Sequence, residues 1–375
     1  YVGGIVGYGN STLVNNCSTE KDGYVLGSDY VGGIAGALGG NISEAIRADS
    51  VVAVTTNSSY VIGQTYVGGI VGQNEQNVTL KNCVNNGVAA CYDRYVGGIV
   101  GYNEKDGMIY DCASYLSDYN NSIFKMIVSA WKATGDYAGG ITGYNNGRIT
   151  FSKASQKITV KSVSSIVAGE NYAGGIAGFN DVAGTLDVNY TLIGGKVYAY
   201  GDCAGGGFGF NASTEVLTKE LTIKPTSVQG RYYVGGCIGA NVVNLSKNLT
   251  MEYFRADNRL GSIVGEAFCG GIIGYQRTYT AKQFGTGALL DEMDAQQSAI
   301  LPGIDGKTNL PGAEAASANT HTLTICDSRN ENNSLQTITN NIPIRAWLYV
   351  GGIVGYCENN SKLVISNCVN EGTIG

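Results

Sequence analysis

The feature that most constrains what this chain can fold into is a glycine motif that returns ten times. The pattern aromatic-x-Gly-Gly-Ile-x-Gly starts at Tyr1, Tyr30, Tyr66, Tyr95, Tyr137 and Tyr172, and continues in variant form at Cys203, Tyr233, Phe268 and Tyr349. Successive starts lie 29, 36, 29, 42, 35, 31, 30, 35 and 81 residues apart. All but the last gap fit one supersecondary unit with loops of variable length. A chain of this kind stacks its units, because no single unit can bury its apolar face alone.

Counted from the aromatic, glycine stands at the second, third and sixth places, with Tyr or Phe often at the seventh. Ile5, Ile34, Ile70, Ile99, Ile141, Ile176, Ile272 and Ile353 occupy the fourth place and are expected to stack in one apolar column. The glycines are expected to supply positive φ and close backbone approach at a bend or bulge. At the eighth place stand Asn74, Asn103, Asn145, Asn180, Asn211 and Asn241, in six successive copies. Stacked strands sit roughly 4.7–4.9 Å apart, so these side chains are expected to bond from coil to coil as an asparagine ladder. The competing reading is that Asn is an ordinary turn residue here.

Strand-like runs follow the motif at Ser11 to Val14, Asn77 to Leu80 and Lys362 to Ile365, and a third run follows at Tyr24 to Leu26, Tyr60 to Ile62 and Ser165 to Val167. The expected fold is all-β: a β-helix-like β-solenoid of about ten coils with three short strands per coil and one irregular insertion. A propeller blade needs four strands and about 40–45 residues. Copies of 29 to 31 residues do not supply them.

The heptapeptide Tyr-Val-Gly-Gly-Ile-Val-Gly at 1–7, 66–72, 95–101 and 349–355 resembles the GLUG motif. The resemblance covers roughly residues 1–279 and 346–375, and the copy at Cys203 (Cys-Ala-Gly-Gly-Gly-Phe-Gly) departs most from it. It implies a large secreted or wall-attached bacterial protein, adhesin-like or the non-catalytic region of a secreted enzyme, with an extracellular location. Coils one to nine are expected over 1–279, the insertion over 280–345 and the last coil over 346–375. The insertion holds Pro302, Pro311 and Pro343 and a candidate short helix at 288–293. It is expected either to project as a binding face, with the longer loops at 43–59 and 113–134, or to serve as a cap or spacer.

Chemistry-bearing residues are sparse. His321 is the only histidine and no His-Glu-x-x-His occurs, so no metallopeptidase site is expected in this chain. Asp291, Glu292 and Asp294 are close together but all lie in the insertion, while Asp22, Asp136, Asp181 and Asp202 stand beside turns, where aspartate is common. A polysaccharide-cleaving enzyme would need two such carboxylates facing one another. Ten cysteines occur without a Cys-x-x-Cys pair. Cys83 and Cys112 share one offset in adjacent copies, which allows either a disulfide between coils or a column of unbridged thiols. Twelve Asn-x-Ser/Thr sequons are present, among them Asn10, Asn57, Asn77, Asn211 and Asn359.

With 43% hydrophobic and 14% charged residues the chain has material for a long core, and a net charge of −6 argues against nucleic-acid binding. No run of eighteen apolar residues is present, so no membrane-spanning helix is expected. No catalytic, cofactor or metal residue is assigned. The chain begins and stops within a repeat without a polar cap, which suits a piece of a longer protein or head-to-tail addition of copies. The expected role is structural or adhesive, with neighbouring coils, copies of the chain, or a host protein or glycan as partners.

Overall fold

The computed structural model describes residues 1–10, 12, 14–39, 55–114, 127–130, 137–150, 159–161, 166–186, 190–193, 195–218, 221–224, 227–252, 254–256, 261–279, 321–326, 328–329, 335–336, 339–340, 344–357 and 361–375. They form a β-solenoid of parallel strands stacked coil upon coil.

The coil that starts at Tyr66 shows the plan. Its glycine motif splits at the bend into Tyr66–Gly68 and Val71–Asn74. The downstream run splits into Thr79–Lys81 and Cys83–Asn85, and Val88–Cys91 leads back to the next motif. The three runs legible in the sequence are thus five short strands in this coil. Among the described residues, the two motif strands stack into two ten-stranded parallel sheets, and the closing strand into a nine-stranded one. Register is strict: Tyr95 pairs with Tyr66 on one side and Tyr137 on the other.

The motif glycines are required by crowding. A Cβ on Gly68 would overlap the carbonyl oxygen of Val71, and one on Gly69 would overlap that of Gly98 in the next coil. Positive φ is not the reason, since Gly195 (φ 85°) is the single described glycine in the left-handed region. Left-handed backbone falls instead on ten other described residues, among them the motif aromatics Tyr30, Phe268 and Tyr349 and the set Asn16, Asn82, Asp111 and Asn367, the last four at φ 49–52°. Each of those four immediately precedes a cysteine, and Asn and Asp are the side chains that tolerate this conformation best.

Ile34, Ile70, Ile99, Ile141, Ile176 and Ile272 form the expected inward column, each at most 1% exposed, whereas Ile5 at its lower end is 50% exposed and Ile353 at its upper end is half-buried. Full burial of such a side chain stabilises by about 1.5–3 kcal/mol. Gly207 and Cys237 interrupt the column. Beside Gly207 the space is taken by Leu221 and Ile223, whose side chains lie 3.3 and 3.4 Å from where a Cβ would stand.

The 280–345 segment is not wholly outside the repeat. Thr322–Cys326 pairs with Leu249–Glu252 and with Lys362–Ile365. Thr339–Asn340 pairs with Phe254–Ala256 and Val369–Asn370, and Ile344–Arg345 pairs with Ile263–Val264. These strands complete the coil that the motif at Phe268 opens and need no glycine motif of their own, because a flat ladder needs only alternation: Leu323 and Ile325 are fully buried between partly exposed neighbours. The extra chain enters after Ile273–Tyr279. Ser328–Arg329 and Leu335–Gln336 form the one antiparallel pair among the described strands. The helix expected at 288–293, the three prolines, Asp291, Glu292, Asp294, Asp136 and most of the 43–59 and 113–134 loops lie outside the described residues. No described helix is long and apolar enough to cross a membrane.

Candidate functional site

The most ordered polar chemistry in the molecule is a column of buried amides at the end of the second motif strand. Asn74 Nδ2 donates to Asn103 Oδ1 at 2.7 Å, Asn103 to Asn145 at 2.8 Å, Asn145 to Asn180 at 2.7 Å, Asn180 to Asn211 at 2.9 Å and Asn211 to Asn241 at 2.8 Å. Asn241 then donates to Gln276 Oε1 at 2.8 Å. All seven side chains are at most 1% exposed. The second N–H of each amide from Asn74 to Asn211 points into its own turn, bonding the carbonyl of Val78, Gly107, Gly147, Gly184 or Ser213. That carbonyl fixes which way round the amide sits, since a reversed amide would set oxygen against oxygen.

The column therefore runs in one direction, and its first acceptor has nothing below it. Leu38 occupies the register position beneath Asn74 and offers no donor. Asn74 Oδ1 is buried there without a hydrogen-bond partner, a cost of about 1–3 kcal/mol that a continued ladder would remove.

A second, shorter ladder was not evident from the sequence. Thr19 Oγ1 donates to Asn57 Oδ1 at 2.5 Å, Asn57 Nδ2 to Asn85 Oδ1 at 2.8 Å, and Asn85 Nδ2 reaches Ser114 Oγ at 3.5 Å. Thr19, Asn85 and Ser114 each stand two residues after a cysteine, a spacing that could have revealed the position. The ladders also explain two sequons. Asn57 and Asn211 are fully buried, and their Oδ1 atoms accept from the backbone N–H of Ser59 and Ser213. The Ser of the sequon is the turn partner of the ladder Asn, and neither amide is open to a glycan in the folded chain.

Aromatic rings flank the same corner. Tyr1, Tyr30, Tyr66, Tyr95, Tyr137 and Tyr172 stack face to face with centroids 4.6–5.2 Å apart. Tyr102, Tyr144, Phe179 and Phe210 make a parallel column at 4.6–5.1 Å. The two columns meet edge to face at 5.2–6.0 Å, the arrangement that ring quadrupoles favour. Each stacked pair adds about 0.5–1.5 kcal/mol beyond area burial.

Cys83 and Cys112 are both free thiols. The Cys83 N–H donates to Cys112 Sγ at 3.4 Å. In-register parallel neighbours hold their Cβ atoms about 4.8 Å apart, wider than the usual 3.5–4.5 Å of a disulfide. Burial pushes the Cys112 thiol well up, so it carries no thiolate at neutral pH. Thiol-specific labelling of the folded chain is expected to leave Cys112 unmodified until denaturant is added, and reductant is expected to leave the melting temperature unchanged.

Of the turn aspartates, Asp22 is exposed, whereas Asp181 is buried and accepts from Tyr144 Oη at 2.6 Å and from the Val182 N–H. Burial raises the Asp181 carboxyl, against the pull of those two donors. Burial also pushes Asp202 up to about 6, with Arg231 acting in the opposite direction. The folded state then holds a proton on Asp202 that the unfolded state has already lost, so stability falls as pH rises from about 4 to about 6. Asp202→Asn is expected to be more stable than the parent by about 1–3 kcal/mol above pH 6, with the difference vanishing below pH 4. Urea midpoints of both proteins at pH 4 and pH 7 check this.

Among the described residues no group of three or more His, Cys, Asp or Glu is placed to hold a metal ion. The arrangement can stiffen a stack and present its corners; among the described residues it brings no two sequence-predicted carboxylates together. Comparison with family models, with curated proteins and with solved structures finds no match to this chain.

Proposed function

We propose that this chain is a structural β-solenoid segment of an extracellular bacterial surface protein, of the kind the GLUG-like motif implies. The observation that carries this reading is the unbroken amide ladder from Asn74 to Gln276: the interior polar groups are spent on joining one coil to the next. Side chains used in this way resist separation of coils. The location rests on the motif resemblance. Antibody against residues 66–114, applied to intact cells of the native source, is expected to label the surface by immunogold microscopy. Labelling seen only after permeabilisation would overturn the surface assignment and leave the stacking role standing.

A further inference from the structure

Four successive corners between the closing strand and the motif carry two exposed rings, Tyr200 and Trp347, separated by Arg231, which covers the half-buried Tyr232, and by Glu266. Trp347 is 87% exposed and Tyr200 66%. Their backbones are tied together across coils. Arg231 N donates to Gly201 O at 2.8 Å, Glu266 N to Arg231 O at 2.7 Å and Trp347 N to Glu266 O at 3.0 Å. The corners therefore form a rigid strip along the solenoid axis, with one step of about 4.8 Å per coil. Within it the Arg231 guanidinium lies 4.9 Å from the Tyr232 ring centroid, and its Nε meets Glu266 Oε2 at 3.4 Å.

We infer that this strip binds an extended, neutral β-linked glycan lying along the axis, with Tyr200 and Trp347 as stacking platforms and Arg231 and Glu266 as hydroxyl partners. Three features favour a glycan over a protein. Leu348 and Tyr349 are exposed beside Trp347, but the Arg231–Glu266 pair stands between them and Tyr200, whereas a protein-docking surface centres on a contiguous apolar core. Aromatic faces accept the C–H faces of pyranose rings, while a guanidinium and a carboxylate each present paired donors or acceptors matched to neighbouring hydroxyls. One coil step is close to the length of one pyranose unit in an extended β-linked chain, so successive corners meet successive sugars. Because the strip is held by ladder hydrogen bonds, little ordering cost is incurred on binding.

This goes beyond the structural role, which stands whether or not a glycan binds. The test is calorimetric titration of the whole chain with cellohexaose, and with the α-linked maltohexaose as comparator. Saturable binding of cellohexaose is expected, weakened at least tenfold by Trp347→Ala and by Tyr200→Ala. Tyr92→Ala, an exposed ring on the same corner three coils from Tyr200, is expected to leave it unchanged. The substituted rings are exposed, so an unchanged far-UV circular dichroism spectrum accompanies each variant. Absence of saturable binding, equal affinity for both oligosaccharides, or an affinity indifferent to both ring deletions would overturn the inference.

Discussion

Replacing Asn145 with aspartate is expected to produce a pH-dependent collapse of stability that replacement with leucine does not. Asn145 sits mid-ladder at 1% exposure, accepts from Asn103, and donates to the Gly147 carbonyl at 3.2 Å and to Asn180 Oδ1 at 2.7 Å. An ionised carboxylate there faces two oxygens with no proton between them, and burial penalises its charge as well. Its folded-state pKa must therefore rise, and a shift of 3 units corresponds to about 4 kcal/mol. By linkage the loss is small near pH 4, where the protonated carboxyl still donates once, and grows as pH rises towards the raised folded value. Asn145→Leu removes the same bonds and strands Asn180 Oδ1, for a pH-independent loss of about 2–5 kcal/mol. Denaturant midpoints of both variants relative to the parent, taken from pH 4 to 8, separate the two. Equal losses at every pH would mean that Asn145 is not a donor in the ladder.

The second large effect is expected at a motif glycine. A Cβ on Gly139 would overlap the carbonyl oxygen of Thr142 and stand 2.9 Å from Ala177 Cα in the next coil. Both obstacles are backbone, held by ladder hydrogen bonds on either side, so neither can turn aside as a side chain would. Gly139→Ala should cost more than about 3 kcal/mol, at or beyond the upper end for overpacking. Gly23→Ala is the reference: its Cβ would meet nothing nearer than Glu20 O at 3.3 Å, and a change within about 0.5–1 kcal/mol is expected. Thermal unfolding of the two variants gives the comparison, and limited proteolysis of Gly139→Ala is expected to open new cleavage around 137–150. A mild effect at Gly139 would show that the bend can widen and that the motif glycine is there for another reason.

The parts of this fold that were legible in the sequence are those where one residue type alone satisfies the position. A buried amide that must both accept and donate along the axis admits Asn at coil after coil, so the main ladder stood out at one offset. The crowding at Gly68 and Gly69 likewise leaves glycine alone, and repetition follows. The second ladder stayed hidden because Thr19, Asn57, Asn85 and Ser114 all meet its looser demand for a small polar side chain. The strands that complete the ninth coil, after its visible motif at Phe268, were hidden for a related reason. Thr322–Cys326 and Ile344–Arg345 lie on sheets that ask only for alternation, and alternation in a five- or two-residue strand leaves no signature. The corner strip was illegible because Tyr200, Arg231, Glu266 and Trp347 are scattered across 148 positions and become neighbours only through stacking.

The one-way amide column gives the solenoid an electric axis. Interstrand peptide dipoles point alternately up and down the stack and largely cancel, but the side-chain amides from Asn74 to Gln276 all direct their N–H ends the same way. If each carries a moment near that of a peptide unit, about 3.5 D, they sum as the peptides of a helix do, and each link polarises the next. The negative pole lies at the unsatisfied oxygen of Asn74 and the positive pole at Gln276. The two ends of the ladder thus differ in the charge they favour nearby, and a break at Asn145 divides one long moment into two short ones.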